Sequence, residues 1–314
     1  MALMHRTPVR PPRLEAGATV GIVTPSSPPP PGLLDGHVAY WEERGFRVRL
    51  GSHLDAIVGG YLAGTPQERA GDVNRFLADP EVRLIVPAMG GKGCSQILPL
   101  IDYDLLTADP KLVIGGSDTS ILVLALHAVT KVVTLHGPTG MDLGRGVPPL
   151  TEHVLHSALS EPAPLGMLPV YGPRETINGG TATGPLLGGH LGTIRALVGS
   201  RFEPDWTGSL LFIEEIDTEF HDLDASLQHL RLAGILERAA GLLVGRCVNV
   251  DERYWPTDDN IGTVLRRALD GVEIPILYGV ELGHTRDKVT LPVGCEAHLD
   301  ADRGAVTVLE SATR

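Results

Sequence analysis

The stretch Leu112–Leu126, LVIGGSDTSILVLAL, contains an apolar strand, a turn of small residues and an apolar helix in direct succession. In such an arrangement the turn Gly115–Asp118 presents the Ser117 side chain, while backbone N–H groups at the start of the helix face a developing oxyanion. The match to the G-x-S-x-G pattern is partial, because Thr119 occupies the last glycine position. The stretch therefore predicts a strand-to-helix turn in which Ser117 is either a catalytic nucleophile or the cap of the helix.

The same alternation of apolar strands and helices extends over the first half of the chain. The predicted strands are Thr19–Thr24, Phe46–Leu50, Val82–Pro87, Leu112–Gly115 and Val132–Leu135. The predicted helices are Leu33–Gly45, Pro66–Ala78 and Ser120–Val129. This alternation is typical of a parallel sheet covered on both faces, so residues 1–145 are expected to form a doubly wound α/β domain. Ligands bind beyond the carboxyl ends of such strands, where the turns carry Ser117 and a glycine-rich loop.

The second half of the chain has more strands and fewer helices. Residues 146–183 are rich in Pro and Gly and are interpreted as a connector, and residues 184–314 are expected to form a β-rich α+β domain. The predicted strands are Ser209–Ile216, Gly241–Arg246, Ile276–Val280, Val289–Pro292, Glu296–Asp300 and Ala305–Leu309. The predicted helices are Gly192–Leu197, Leu223–Leu232 and Ile261–Leu269.

The composition excludes several classes of partner. The chain of 314 residues has 26 Lys and Arg against 38 Asp and Glu, a net charge of −12, and no cluster of basic residues that would bind nucleic acid. Its longest strongly apolar stretch, Ile121–Val129, is far shorter than a membrane span. The N-terminal sequence MALMHRTPVRPPRLE lacks the apolar region of a signal peptide, so a cytoplasmic protein is expected.

No metal or cofactor is expected from the sequence. Cys94, Cys247 and Cys295 are odd in number and widely spaced, which predicts three reduced thiols rather than disulfides or a zinc site. A group of acidic residues and one histidine is interpreted as a solvated loop before a helix rather than a metal cluster. This group consists of Asp217, Glu219, His221, Asp222 and Asp224.

A glycine-rich loop, Ala88–Ser95, follows another apolar strand. Its sequence AMGGKGCS matches neither a P-loop nor the G-x-G-x-x-G pattern. Backbone N–H groups in such a loop can bind an oxyanion or a phosphate, and the alternative is a plain turn.

A serine nucleophile needs a histidine base that is oriented by a carboxylate. Of the twelve histidines, His284 is favoured because it follows a predicted strand and a glycine. Glu214 and Glu215 are candidate carboxylates because they end the apolar run Leu210–Ile213. Each of these residues, considered alone, is more simply explained by a structural role.

Five segments taken together resemble the LD-carboxypeptidase family of serine peptidases. This family includes muramoyltetrapeptide carboxypeptidases and microcin C7 self-immunity peptidases. The segments are GGKGCSQILPLIDYDLL (90–106), IGGSDTSIL (114–122), GPLLGGHLGTIRALVGS (184–200), LLFIEEID (210–217) and GHTRDKVTLPVG (283–294). The resemblance extends from Leu14 to Glu310.

The resemblance implies a Ser–Glu–His triad at Ser117, Glu214 and His284, with Glu215 as a neighbour. It also implies a Rossmann-like N-terminal domain, a β-rich C-terminal domain, and a site between them. The implied oxyanion hole consists of the backbone N–H groups of Gly91 and Asp118.

Substrate-binding residues are expected where the chain departs from the family pattern. The implied positions near the substrate are Met89, Gly90, Lys92 and His190. Met89 stands where many carboxypeptidases have Arg, Lys92 where an aromatic residue is common, and His190 where Asn usually follows Gly-Gly. The terminal carboxylate of the substrate could be bound by Lys92, Arg246 or Arg286.

The expected function is hydrolysis of the amide bond between meso-diaminopimelate and a C-terminal D-Ala in muropeptides, by a cytoplasmic homodimer. The alternative within the family is a microcin-immunity peptidase that cleaves aminoacyl- or peptidyl-nucleotide conjugates. A non-catalytic two-lobed binding protein, in which Ser117 caps a helix, and an α/β-hydrolase are the alternatives outside it.

Overall fold

Two β-sheets organise residues 8–314, which are the residues that the computed structural model of this chain describes. The strands are β1 (Thr19–Val23), β2 (Arg47–Leu50), β3 (Val82–Pro87), β4 (Leu112–Gly115), β5 (Thr134–His136), β6 (Gly166–Met167), β7 (Glu175–Asn178), β8 (Thr181–His190), β9 (Leu210–Glu214), β10 (Gly241–Gly245), β11 (Ile276–Val280), β12 (Leu291–Val293), β13 (Glu296–Asp300) and β14 (Ala305–Val308). The helices are α1 (Leu33–Glu42), α2 (Pro66–Ala78), α3 (Tyr103–Ala108), α4 (Ser120–Thr130), α5 (Gly140–Gly144), α6 (Pro149–Ser160), α7 (Leu191–Ile194), α8 (Phe220–Leu232), α9 (Ile235–Arg238) and α10 (Ile261–Ala268).

The first sheet has the order β12-β5-β4-β3-β1-β2, and its strands β1 to β5 are parallel. The second sheet has the order β6-β14-β13-β8-β9-β10-β11-β7, with a parallel centre from β8 to β11 and antiparallel strands on both sides. This architecture confirms the predicted fold class, an α/β fold with a parallel N-terminal sheet and a second, β-rich part.

Helix α4 packs between the two sheets, because it contacts β4 and β5 of the first and β8 of the second. Every residue from Ile121 to Leu126 is at most 3% exposed. A helix buried on all sides has apolar residues around its whole circumference, which explains the continuous apolar run after Ser117. This helix therefore fixes the position of Ser117 relative to both sheets.

Local sequence signals account for several helix boundaries. Helix α2 begins at a capping box in which Thr65 and Glu68 bond each other's backbone N–H groups, and Pro66 occupies its first turn. Its predicted limits match the observed ones. Asn260 and Thr263 form the corresponding pair at the start of α10.

Residues 146–183 contain more regular structure than predicted. They form helix α6, strands β6 and β7, and the first residues of β8, where the sequence predicted no regular element. Helix α6 begins at Pro149 and directly follows Pro148, so its start resembles a loop in composition. The domain limits 1–145, 146–183 and 184–314 remain a prediction. Residues 1–7, which include the start of the N-terminal stretch discussed above, lie outside the described residues.

Two further strands differ from the sequence-based expectation. Strand β8 was not predicted, because Gly184, Pro185, Gly188 and Gly189 favour a turn over a strand. Strand β12 lies near its predicted position, but it pairs antiparallel with β5 in the first sheet rather than within the second. Local sequence patterns do not specify the partner of a strand, so this exchange between sheets was not predictable.

Gly188 has no room for a side chain. Its φ is +157°, and a Cβ there would collide with the Phe212 carbonyl oxygen of the neighbouring strand β9. We expect Gly188→Ala to lower the free energy of unfolding by about 3 kcal/mol, because β8 and β9 would have to separate. Urea denaturation measures this change. Gly71→Ala, at a helical position with open space around it, is the control, and equal effects of both substitutions would contradict the prediction.

Among residues 8–314, no helix is both long and apolar enough to span a membrane. Cys94, Cys247 and Cys295 are free thiols.

Candidate active site

A cleft lies where strands of both sheets end. Ser117 follows the carboxyl end of β4, Glu214 is the last residue of β9, and His284 follows β11. The cleft is lined by Gly90, Gly91, Gly116, Ser117, His136, Gly137, Thr139, Met141, Asp142, Glu214, Gly283, His284, Lys288 and Val289. The structure thus brings together the three residues that the resemblance implies as a triad.

The Ser117 turn has the tight geometry predicted from its small neighbours. Ser117 has a φ of +53°, a conformation that non-glycine residues adopt at a cost of about 1–3 kcal/mol. A Cβ at Gly116 would lie 2.5 Å from the Gly137 carbonyl oxygen, and one at Gly90 would lie 2.6 Å from the Ser117 Cβ. Strain at a cleft and close backbone approach on both sides are properties of a nucleophile turn rather than of an ordinary helix cap.

Glu214 and His284 form a hydrogen-bonded pair, with 2.7 Å between His284 Nδ1 and Glu214 Oε2. Gly283 permits this contact, because its φ is +100° and a Cβ there would lie 2.8 Å from Glu214 Oε2. Burial alone would raise the pKa of Glu214, but the hydrogen bond and the charge of His284 hold that pKa below its ordinary value. An ionised Glu214 accepts a hydrogen bond from Nδ1–H of His284 and so leaves Nε2 of this ring as the proton acceptor.

The glycine-rich loop contributes Gly90 and Gly91 to the cleft. Ser27 fixes this loop, because its N–H donates to the Gly90 carbonyl (3.3 Å) and its Oγ accepts from the Lys92 N–H (3.1 Å). The loop is therefore held beside Ser117, as an oxyanion-binding role for the Gly91 N–H requires.

The Asp118 side chain has a role that the sequence did not indicate. It is buried, and its Oδ2 accepts hydrogen bonds from Ser26 Oγ at 2.7 Å and from the Cys94 N–H at 2.8 Å. Burial raises the pKa of Asp118 despite these bonds. The side chain thus connects the Ser117 turn to both neighbouring loops, while the backbone N–H of Asp118 directly follows Ser117.

A second histidine–glutamate pair lies beside the first. His190 Nε2 is 2.8 Å from Glu215 Oε1, and its Nδ1 is 2.9 Å from Thr193 Oγ1. The His190 ring meets the His284 ring edge to face, with 5.6 Å between their centroids. Burial lowers the pKa of His190, but the hydrogen bond to Glu215 and the charges of Glu214 and Glu215 raise it above the ordinary value on balance. His190 therefore places a positive charge near His284 at mildly acidic pH.

Replacing His190 by asparagine is expected to move the acid limb of the kcat/KM profile to higher pH by about one unit. Removal of a neighbouring positive charge favours the protonated form of an imidazole, and a protonated imidazole cannot act as a base. The raised pKa of His190 also means that its protonation stabilises the fold below pH 6.5. This contribution is lost as the pH rises through the pKa of His190 in the folded protein. The pH profile of peptide hydrolysis measures the shift, with His153→Asn, an exposed histidine of α6, as the control. A profile that is unchanged in His190→Asn would contradict the electrostatic role.

Two further polar residues, His136 and Lys288, line the cleft. Burial lowers the pKa of His136 to about 4, so its ring is neutral at physiological pH. Lys288 is buried with its ammonium group 2.7 Å from Asp142 Oδ1. Lys288 lies in the segment 283–294 that resembles the family, but its contact with Asp142 joins distant parts of the chain.

Other predicted substrate residues lie outside the lining of the cleft. Met89 is partly buried next to Gly90, and the Lys92 side chain is exposed at the loop surface. Arg246 is 3.6 Å from Glu281, and Arg286 is exposed. These positions do not identify a carboxylate-binding residue among Lys92, Arg246 and Arg286.

The acidic segment after β9 forms ordinary surface contacts. His221 Nδ1 is 2.8 Å from Glu252, and Arg253 is 3.4 Å from Glu219. Within the described part of the chain, no group of three His, Cys, Asp or Glu side chains is arranged to hold a metal ion.

Comparison with known proteins identifies the family of this chain. Residues 20–137 match the model of the LD-carboxypeptidase N-terminal domain, and residues 183–299 match that of the LD-carboxypeptidase C-terminal domain. A Bacillus subtilis protein named "Probable murein peptide carboxypeptidase" is 35% identical over 95% of this chain and 93% of its own length. The microcin C7 self-immunity protein MccF of Escherichia coli is 26% identical over 95% of this chain and 94% of its own length.

Solved structures show the same two-domain fold. The structure of MccF in its wild-type apo state has a TM-score of 0.88 at 25% identity and covers 98% of this chain and all of its own. A muramoyltetrapeptide carboxypeptidase from Oxalobacter formigenes has a TM-score of 0.82 at 24% identity and covers 94% of this chain and 99% of its own. The chain therefore belongs to the LD-carboxypeptidase family and is a serine-type carboxypeptidase, a hydrolase.

Proposed function

We propose that this enzyme releases a C-terminal D-alanine from muropeptides by cleaving its amide bond to the L-centre of meso-diaminopimelate. The observation that supports the chemistry most directly is the 2.7 Å pair of His284 and Glu214 in the cleft that also contains Ser117. The names of relatives, which include murein peptide and murein tetrapeptide carboxypeptidases, support the substrate class.

Acylation begins when Ser117 Oγ bonds to the scissile carbonyl carbon and its proton passes to His284 Nε2. Glu214 keeps the imidazole in the reactive tautomer and stabilises the imidazolium. The imidazolium then donates this proton to the leaving amine as the C–N bond breaks, and D-alanine departs. Water, activated by the same histidine, hydrolyses the acyl-enzyme and restores Ser117.

The backbone N–H groups of Gly91 and Asp118 are proposed to bind the oxyanion of both tetrahedral intermediates. The fixed glycine-rich loop and the strained Ser117 turn support this assignment, because preorganised donors do not have to reorient during the reaction. One such donor is typically worth about 3–4 kcal/mol of the activation barrier.

Mass spectrometry tests the proposal. The enzyme is incubated with L-Ala-γ-D-Glu-meso-diaminopimelyl-D-Ala, and we expect the loss of a single alanine. A folded enzyme that leaves this peptide intact would overturn the substrate assignment.

The alternative substrate is an aminoacyl- or peptidyl-nucleotide conjugate of the kind suggested by the MccF relative. MccF and the murein peptide carboxypeptidase relative both align with 95% of this chain, but their sequence identities are 26% and 35%. The higher identity favours the muropeptide. Parallel incubation with an aminoacyl sulfamoyl adenosine separates the two, because cleavage of this compound alone would support the alternative.

A cytoplasmic homodimer is part of the proposal, on the basis of the family resemblance. Light scattering of the purified protein tests the dimer, and a monomeric mass at micromolar concentration would contradict it.

A further inference from the structure

Lys288 is a buried cation inside the cleft. Its side chain is 8% exposed, and its Nζ is 2.7 Å from Asp142 Oδ1. The other carboxylate oxygen of Asp142 accepts from the Thr139 N–H at 2.9 Å. Asp142 is therefore held at the start of α5, and it in turn fixes the ammonium group of Lys288.

The backbone around Lys288 is equally fixed. The Lys288 N–H donates to Thr151 Oγ at 2.9 Å, and that hydroxyl donates to the Arg286 carbonyl at 3.3 Å. Thr151 is fully buried on α6. The lysine thus enters the cleft from a segment that is tied to a helix, on the same loop as His284.

An ammonium group has three donors, and Asp142 accepts one of those of Lys288. Lys288 is the sole lysine or arginine among the described residues that line the cleft. A carboxypeptidase must distinguish the end of a chain from its interior, and the distinguishing group is an anionic carboxylate. Charge-assisted hydrogen bonds to such a group are stronger than neutral ones.

We propose that the Lys288 ammonium group binds the terminal carboxylate of the substrate. This contact directs cleavage to the last peptide bond of a chain with a free C-terminus. This inference rests on the proposed function, which supplies a substrate with a free C-terminus. Asp142 is a positioning residue that orients the ammonium group. The other basic candidates are less suitable, because Lys92 and Arg286 are exposed and Arg246 faces Glu281.

A matched pair of substrates tests the inference: the tetrapeptide with a free terminal carboxylate, and the same peptide as its terminal amide. We expect wild-type kcat/KM to favour the free acid by about 10- to 100-fold, as for hydrogen bonds to charged groups. Lys288→Met should lose most of this preference by a reduced rate on the acid, with little change on the amide. Arg286→Met, which removes an exposed charge from the same loop, should keep the preference.

A merely structural role for Lys288 predicts a different result. Lys288→Met would then lower kcat/KM for both peptides by the same factor and leave their ratio unchanged, which would overturn the inference alone. Lys288→Gln, which retains a donor for Asp142 without the charge, provides the second variant if the methionine variant does not fold. Cleavage of neither peptide by the wild-type enzyme would overturn the proposed function and the inference together.

Discussion

Replacement of Ser117 by alanine is expected to lower kcat for the tetrapeptide by about 10⁶-fold, as for other serine peptidases that lose their nucleophile. The alanine variant cannot form the acyl-enzyme, so only binding and oxyanion stabilisation remain. The fold should be retained, because the Ser117 side chain lines the cleft and alanine is smaller. Release of D-alanine over several days, measured by chromatography, quantifies the residual rate.

Ser95→Ala is the control for this experiment. Ser95 is an exposed serine of the glycine-rich loop, and its replacement should leave kcat within a factor of two of the wild-type value. A Ser117→Ala enzyme that retains more than about one per cent of wild-type activity would contradict the nucleophile assignment, since loss of a triad serine costs far more than this.

Replacement of Glu214 by glutamine is expected to lower kcat by about 10⁴-fold. A carboxylate only accepts hydrogen bonds, whereas the amide can donate to Nδ1 of His284 and hold the ring in the wrong tautomer. Glu214 is buried and its Oε1 has no hydrogen-bond partner among the described residues, so the pair with His284 is its principal interaction. Steady-state kinetics with the tetrapeptide measure the loss, and thermal unfolding confirms that the variant is folded.

The neighbouring carboxylate provides the comparison. Glu215→Gln alters the pair with His190 and the bond to the Gly192 N–H, and its effect on kcat should be about 10-fold, as for the loss of a single neighbouring charge. Equal losses in the two glutamine variants would show that the roles of Glu214 and Glu215 are wrongly divided.

The parts of the fold that depend on local sequence were predictable. The strand, turn and helix around Ser117 follow from an apolar run broken by small residues, and α2 follows from its capping box. Strand β8 could not be predicted, because its glycines are explained only by close contacts with distant segments, such as that of Gly188 with Phe212. The pairing of β12 with β5 also depends on tertiary structure alone.

The candidate site likewise contains residues that local motifs predicted and contacts that depend on tertiary structure. Ser117, Glu214 and His284 were assigned through ordered motifs, each next to the end of a strand. The contact between Lys288 and Asp142 joins residues 146 positions apart, and no local pattern indicates it. The pairing of His190 with Glu215 was likewise missed, although the motifs contain both residues.

During synthesis, a ribosome-bound chain that ends before Gly283 contains the nucleophile turn but neither His284 nor β12. The edge of the first sheet at β5 stays open until Leu291–Val293 emerge and pair with it. This pairing closes a very long loop, so its entropy cost makes it a late event in folding. The hydrolase is therefore inactive until nearly the whole chain has been synthesised. Products truncated before Gly283 contain Ser117 but lack His284, the base that would activate it.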